Sequence, residues 1–132
     1  KDRVLLPYKG QLLQRVTYDE SGRISSIIIP WHEIEKYSPL HNPSMLVIDD
    51  MRMVDGVDVA IAYKVYSDKR ITAKIRCNYG KAIASDLATI FGGGGHPYAA
   101  GFKIQKQTKI EDLQRDVNLK ANDLLDAIEA TK

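Results

Sequence analysis

The sequence predicts an α/β fold in one compact domain, a mixed five-stranded sheet flanked by helices. Three observations carry that expectation. The runs Val57–Val65 and Ile71–Cys77 place apolar residues at every second position, as strands do. Lys81–Phe91 and Ile110–Ile128 instead repeat apolar residues at helical spacing. A chain of 132 residues, 44% of them hydrophobic, has enough apolar material for one core and no room for a second domain.

Residues 1–15 read as the tail of an interdomain connection, punctuated by Pro7 and Gly10, and a start at Lys1 rather than Met suggests an excised fragment. The domain proper then spans 16–132. Val16-Thr17-Tyr18 and Arg23–Ile29 flank Asp19–Gly22, a hairpin whose turn glycine Gly22 supplies. Pro30 opens a short helix on which Trp31 and Ile34 share one side, a pair read as core rather than as a stacking platform. Asn42-Pro43 is a cap followed by a first-turn proline, and starts a helix carrying Leu46, Ile48, Met51 and Met53 that Gly56 closes. Asp49 and Asp50 fall on its solvated face, and Asp55-Gly56 reads as a turn. The strand Val57–Val65 turns through Ser67–Arg70 into Ile71–Cys77, which sends Ile71, Ala73, Ile75 and Cys77 to one face and Thr72, Lys74 and Arg76 to the other. On the next helix Ile83, Leu87 and Ile90 form the stripe, widened by Ala84 and Ala88, and Gly92 marks its end. Pro97 reads as the start of another helical turn, Gly101–Ile104 as a strand, and Thr108–Glu111 as a capping box for the last helix. That helix aligns Ile110, Leu113, Val117, Ala121, Leu124 and Ile128 along one stripe.

A net charge of +2 and a pI near 8.6 are too mild for a protein that grips long nucleic acid by charge alone. The distribution is uneven, however: Lys64, Lys69, Arg70, Lys74, Arg76 and Lys81 fall within one short stretch against the single acid Asp68. The one cysteine, Cys77, excludes an internal disulfide and agrees with a reducing cytoplasm. No apolar run is long enough to cross a bilayer, and no signal peptide is evident.

The densest chemical signal is Gly92-Gly93-Gly94-Gly95-His96. Four consecutive glycines are unfavourable in a folded chain unless the backbone bends tightly or approaches a ligand closely. Bare N–H groups in succession make an anion-binding concavity, and His96 adds a donor that can carry charge near neutral pH. Arg76 is the sharpest side-chain candidate, because a guanidinium forks onto two phosphate oxygens. Lys74, Lys69 and Arg70 read as solvated charges.

The string Gly92–Gly95, His96, Pro97, Tyr98, Ala99, Ala100, Gly101, preceded by the Ile71–Cys77 strand and the helix to Phe91, resembles the DHHA1 domain. This is the C-terminal half of the DHH phosphoesterases, which include nanoRNases and oligoribonucleases, cyclic-dinucleotide phosphodiesterases and the RecJ exonucleases. The order of elements is most similar to the oligoribonuclease branch. The resemblance implies that an N-terminal DHH domain of the same parent chain holds Mn²⁺ or Mg²⁺ on Asp and His ligands, while DHHA1 closes over it to hold nucleotide. It places substrate on Arg76, Gly92, Gly93, Gly94, Gly95, His96, Ala99 and Gly101. In the family an Arg-Ser pair stands where this chain has Arg76-Cys77, and Cys77 keeps the size with weaker hydrogen bonding. No Asp-His-His triplet occurs here and His32, His41 and His96 are scattered, so neither catalytic residues nor a metal site is expected on this chain. The expected activity is therefore that of a hydrolase parent, a phosphodiesterase or exonuclease, with this domain inactive alone. The expected partners are short RNA or DNA, a linear or cyclic dinucleotide, the DHH domain and a second copy of the chain, with no membrane. The competing reading is a non-catalytic tRNA-binding module of the alanyl-tRNA synthetase C-terminal type. His96-Pro97-Tyr98-Ala99-Ala100-Gly101 is closer to the phosphoesterase pattern.

Overall fold

The computed structural model describes residues 1–132, and its centre is a mixed sheet in the order β1-β2-β3-β4-β6-β5. β1 (Thr17–Tyr18) and β2 (Ile24–Ile29) form the first hairpin, with Gly22 at φ +74° supplying the left-handed turn residue. β3 (Val59–Val65) runs parallel to β2. A parallel neighbour needs a crossover, here α2 (Trp31–Tyr37) and α3 (Pro43–Arg52). β4 (Ile71–Cys77) pairs antiparallel with β3 across the expected turn, where Lys69 adopts φ +72°. β6 (Ala99–Ile104) adds to β4, and β5 (Gly94–His96) adds to β6.

The sheet therefore has six strands, not five. The additional strand comes from the glycine run, which pairs with β6 as a hairpin around Pro97-Tyr98. Pro97 opens no helical turn. Its carbonyl accepts from the Ala84 N–H at 2.9 Å, and the Tyr98 carbonyl accepts from the Cys77 N–H at 3.0 Å. These bonds tie the hairpin tip to the end of β4 and to the first residue of α4 (Ala84–Ile90).

Several element ends also differ from expectation. Residues 5–14, within the stretch read as a connecting tail, form α1 (Leu5–Gln14), which buries Leu5, Tyr8 and Leu12. Pro7 lies in the first turn of that helix, where its missing N–H has no intrahelical partner to lose. The Asn42 cap forms as read, its side chain accepting from the Ser44 N–H at 3.2 Å. α3 nevertheless ends at Arg52, leaving Met53 exposed and Gly56, at φ +85°, in the turn that follows. No capping box opens α5 (Ile110–Ala130), because the Thr108 hydroxyl donates to the Lys106 carbonyl instead. Its buried stripe is Leu113, Val117, Ala121 and Leu125, with Leu124 only partly covered.

Period-two alternation splits the sheet's apolar residues between two cores. On one face Ile61, Tyr63, Ile75 and Phe102 pack under Leu87 of α4 and the α5 stripe. On the other, Ile27, Ile29, Ala60 and Ala62 pack under α1, α2 and α3 through Leu12, Ile34, Val47 and Met51. The second core contains no residue of β4, β5 or β6. Helix α3 still touches β4, where Lys74 Nζ lies 3.5 Å from Met45 Sδ, and beyond it that half of the sheet face is left without a helical cover. Trp31 is not core as expected: it is 37% exposed, with its ring 6.0 Å from that of Tyr66.

Candidate functional site

Strand register assembles the site on the uncovered half-face. Ala60, Arg76, Ala99 and His96 stand opposite one another across β3, β4, β6 and β5, and Ala62, Lys74, Gly101 and Gly94 form the next row. Positions two apart on a strand share a face, so both rows point the same way. On β6 and β5 the rows consist of Ala99, Gly101 and Gly94, which add almost no bulk, and of His96 at the rim. A cleft of about 420 Å³ opens there, lined by Lys74, Arg76, Gly94, His96, Ala99 and Gly101, with Gly95 in its wall.

The four glycines serve four different purposes. Gly92, at φ +84°, is the left-handed residue that ends α4: its N–H reaches the Thr89 carbonyl at 3.1 Å, and the Gly93 N–H reaches that of Ala88 at 2.8 Å. This pair of bonds is the Schellman pattern, which satisfies the last carbonyls of the helix. At Gly93 a Cβ would lie 2.2 Å from the Gly101 carbonyl oxygen and 2.6 Å from Phe102 Cβ. Gly95 combines φ +145° with a Cβ position 2.6 Å from Ala100 Cα. Gly94 alone of the four combines open space, with nothing within 4 Å of a Cβ, with a backbone outside the left-handed region. Gly94 shares its row with Lys74, so that open space is the cleft.

The cleft is cationic and lacks internal neutralisation. No Asp or Glu lines it, and neither Lys74 nor Arg76 is ion-paired. The Arg76 Nη1 donates to the Ile75 carbonyl at 3.0 Å. Partial burial holds the Lys74 ammonium below its ordinary pKa, and Arg76 beside it pushes the same way. Burial, followed by the charge of Lys74, likewise lowers Lys64, whose Nζ donates to Asn42 Oδ1. Like charges that depress one another are relieved by an anion placed among them.

Of the residues singled out in the sequence, Arg76, Gly94, Gly95, His96, Ala99 and Gly101 meet at this cleft, whereas Gly92 and Gly93 turn and pack the chain behind it. Lys74, read as a solvated charge, lines the cleft. The signal for it was present, because it shares the strand parity of Arg76. Cys77 faces the opposite, sealed side, and burial pushes its thiol up from 9.0 to about 11. No three His, Cys, Asp or Glu side chains converge anywhere on the chain. Its residues offer no ligand set for a divalent cation. No helix is long and apolar enough to cross a membrane.

The DHHA1 domain model matches residues 43–123, and the chain belongs to the DHHA1 domain family. Two solved structures share its fold. An exopolyphosphatase-related protein from Bacteroides fragilis is 19% identical with a TM-score of 0.78, over 98% of this chain and 37% of its own. The pGpG-specific phosphodiesterase PggH from Vibrio cholerae is 14% identical with a TM-score of 0.59, over 90% of this chain and 38% of its own. The chain thus spans less than two fifths of either protein. No curated protein matches it in sequence.

Proposed function

We propose that the chain is the nucleotide-binding part of a phosphoesterase. In this reading it holds a phosphate of a short nucleic-acid strand or dinucleotide in the cleft, while groups outside the chain carry out hydrolysis. One observation carries the reading: Arg76 and His96 stand in one strand row, beside a floor of Gly94 and Gly101, with no carboxylate in the cleft. Arg76 supplies the forked donor and His96 a second donor from the hairpin. Lys74 supplies charge, and Gly94 and Gly101 leave the room a phosphate needs. Membership of the DHHA1 family and the fold shared with a pGpG-specific phosphodiesterase support the same reading. The reading requires a DHH domain elsewhere in the parent protein, and its Mn²⁺ or Mg²⁺ would supply the chemistry of water activation. An oligoribonuclease parent is the form that the order of elements favours.

The test is an NMR titration of the 132-residue chain with a dinucleotide. The Gly94–His96 amides should move first. Affinity should be high micromolar to millimolar, because a few charge-assisted bonds of about 1.5–3 kcal/mol each must also offset the cost of association. Gly94→Ala should keep the fold and lose the binding, since its methyl group enters the cleft. Largest shifts on α5, or full binding by Gly94→Ala, would place the ligand elsewhere. With Mn²⁺ and a labelled trinucleotide the chain alone should show no turnover above a mock-purified control.

A further inference from the structure

The cationic face continues past the cleft. The next row after Lys74 and Gly101 is Lys64, Thr72 and Lys103. Two residues beyond Lys64, Tyr66 packs at the edge of the same core that holds Ala60 and Ala62. The Arg70 guanidinium carbon lies 4.1 Å from the centroid of the Tyr66 ring, and the Trp31 ring lies 6.0 Å away, tilted by 39°. Trp31, Ile34, Ser38, Pro39 and Tyr66 border a groove of about 490 Å³ in which Glu35 is the only charged side chain. From the Arg76 row to Tyr66 is six residues of strand, about 20 Å at about 3.3 Å per residue. One mononucleotide in the cleft leaves this far end unused.

The two ends differ in chemistry in a way that fits one kind of ligand. Arg76, Lys74 and Lys64 succeed one another along the strands without carboxylate partners, as a polyanion requires. The aromatic groove carries a negative charge at Glu35, which disfavours phosphate and leaves a flat, uncharged ring as its occupant. Phosphates spaced along a strand with bases projecting from them have this alternation of anion and ring, and base-on-aromatic stacking needs no particular base. An arginine over the ring strengthens such a platform.

We propose that Trp31 and Tyr66, backed by Arg70, stack a base of a single-stranded oligonucleotide whose phosphates run from Arg76 and His96 past Lys74 and Lys64. The preferred ligand is then a strand of several nucleotides rather than a mono- or dinucleotide. This rests on the phosphate reading of the cleft. Because Trp31 is the chain's one tryptophan, its emission reports on the groove alone. The experiment titrates the 132-residue chain with 5′-phosphorylated oligoadenylates from mono- to hexanucleotide, following Trp31 emission and the Gly94–His96 amides together. Mono- and dinucleotides should shift the amides and leave the emission unchanged. Longer strands should quench it and bind about tenfold tighter, the gain of one stacked base. Trp31→Phe should keep most of that gain, whereas Trp31→Ala should lose it with mononucleotide affinity unchanged. Hexanucleotides that shift the amides without quenching, or that bind no tighter than dinucleotides, overturn the stacking groove and leave the cleft standing. If no oligonucleotide moves the cleft amides, the cleft reading fails and the groove with it.

Discussion

Ala60 and Ala62 on β3 stand in the same two rows of one sheet face as Ala99 and Gly101 on β6, yet the first pair is sealed under α1, α2 and α3 while the second opens on the cleft. In one half small side chains let helices come close. In the other they leave room that no helix fills. What separates the halves is β4, which turns Arg76 and Lys74 toward this face and nothing but apolar side chains toward the other. Small residues on a strand are therefore ambiguous alone, and the charge on the dividing strand is what marks a ligand face.

Comparing neighbouring glycines is the strongest way to break that distinction. Gly93→Ala should destabilise by about 3 kcal/mol, read from the urea midpoint, because its Cβ meets backbone and the Phe102 side chain, which cannot move away. Gly94→Ala, one residue on, should stay within about 0.5 kcal/mol of wild type and fail only in binding. Equal stability for the two variants would mean that the hairpin does not pack as described.

β4 offers a second contrast, since its two faces should answer to different variables. Burial raises the Cys77 thiol, so the folded chain keeps its proton longer than the unfolded chain does. Stability from this group is complete below pH 9 and is lost as pH rises from 9.0 to about 11, amounting to about 3 kcal/mol. Tyr8 and Tyr63 are shifted the same way by burial, and their loss is centred one unit higher, setting in as pH approaches 10. Urea titrations between pH 9 and 10 should therefore show a decline in wild type that Cys77→Val makes clearly shallower. A parallel decline in the variant would place the titration elsewhere.

On the open face of the same strand, Arg76→Lys keeps the charge but not the fork. Affinity for a dinucleotide should fall about tenfold with an unchanged urea midpoint. Unchanged affinity would remove Arg76 as the phosphate clamp. The smallest effect expected is at Lys74, where Lys74→Gln should flatten the dependence of log affinity on log salt by about 0.7, the share of one single-strand phosphate contact. Lys69→Ala, in the hairpin turn, should leave that slope unaltered.

Much of this arrangement is legible in the chain. Alternation in Val59–Val65 and Ile71–Cys77 assigns each side chain to a face, which is how Arg76 is separated from Cys77 without coordinates. Spacing of Ile83, Leu87 and Gly92 locates α4 and its left-handed end. β5 is not legible, because a run of glycines has no side chains to alternate and so carries no period-two signal. α1 is obscured by Pro7 and Gly10, whose usual meaning as breakers is overridden once Leu5, Tyr8 and Leu12 find a core to enter.

By its own local pattern, then, the sequence determines which faces are apolar, where turns fall, and that Arg76 and His96 are the residues to watch. Tertiary structure alone decides that they meet. Strand parity puts Lys74 on the face of Arg76 and Lys69 in a turn, but only register between strands sets Lys74 beside Gly101 and Gly94. Register arises from hydrogen bonds and packing between segments distant in sequence, and neither is encoded in any single segment's periodicity.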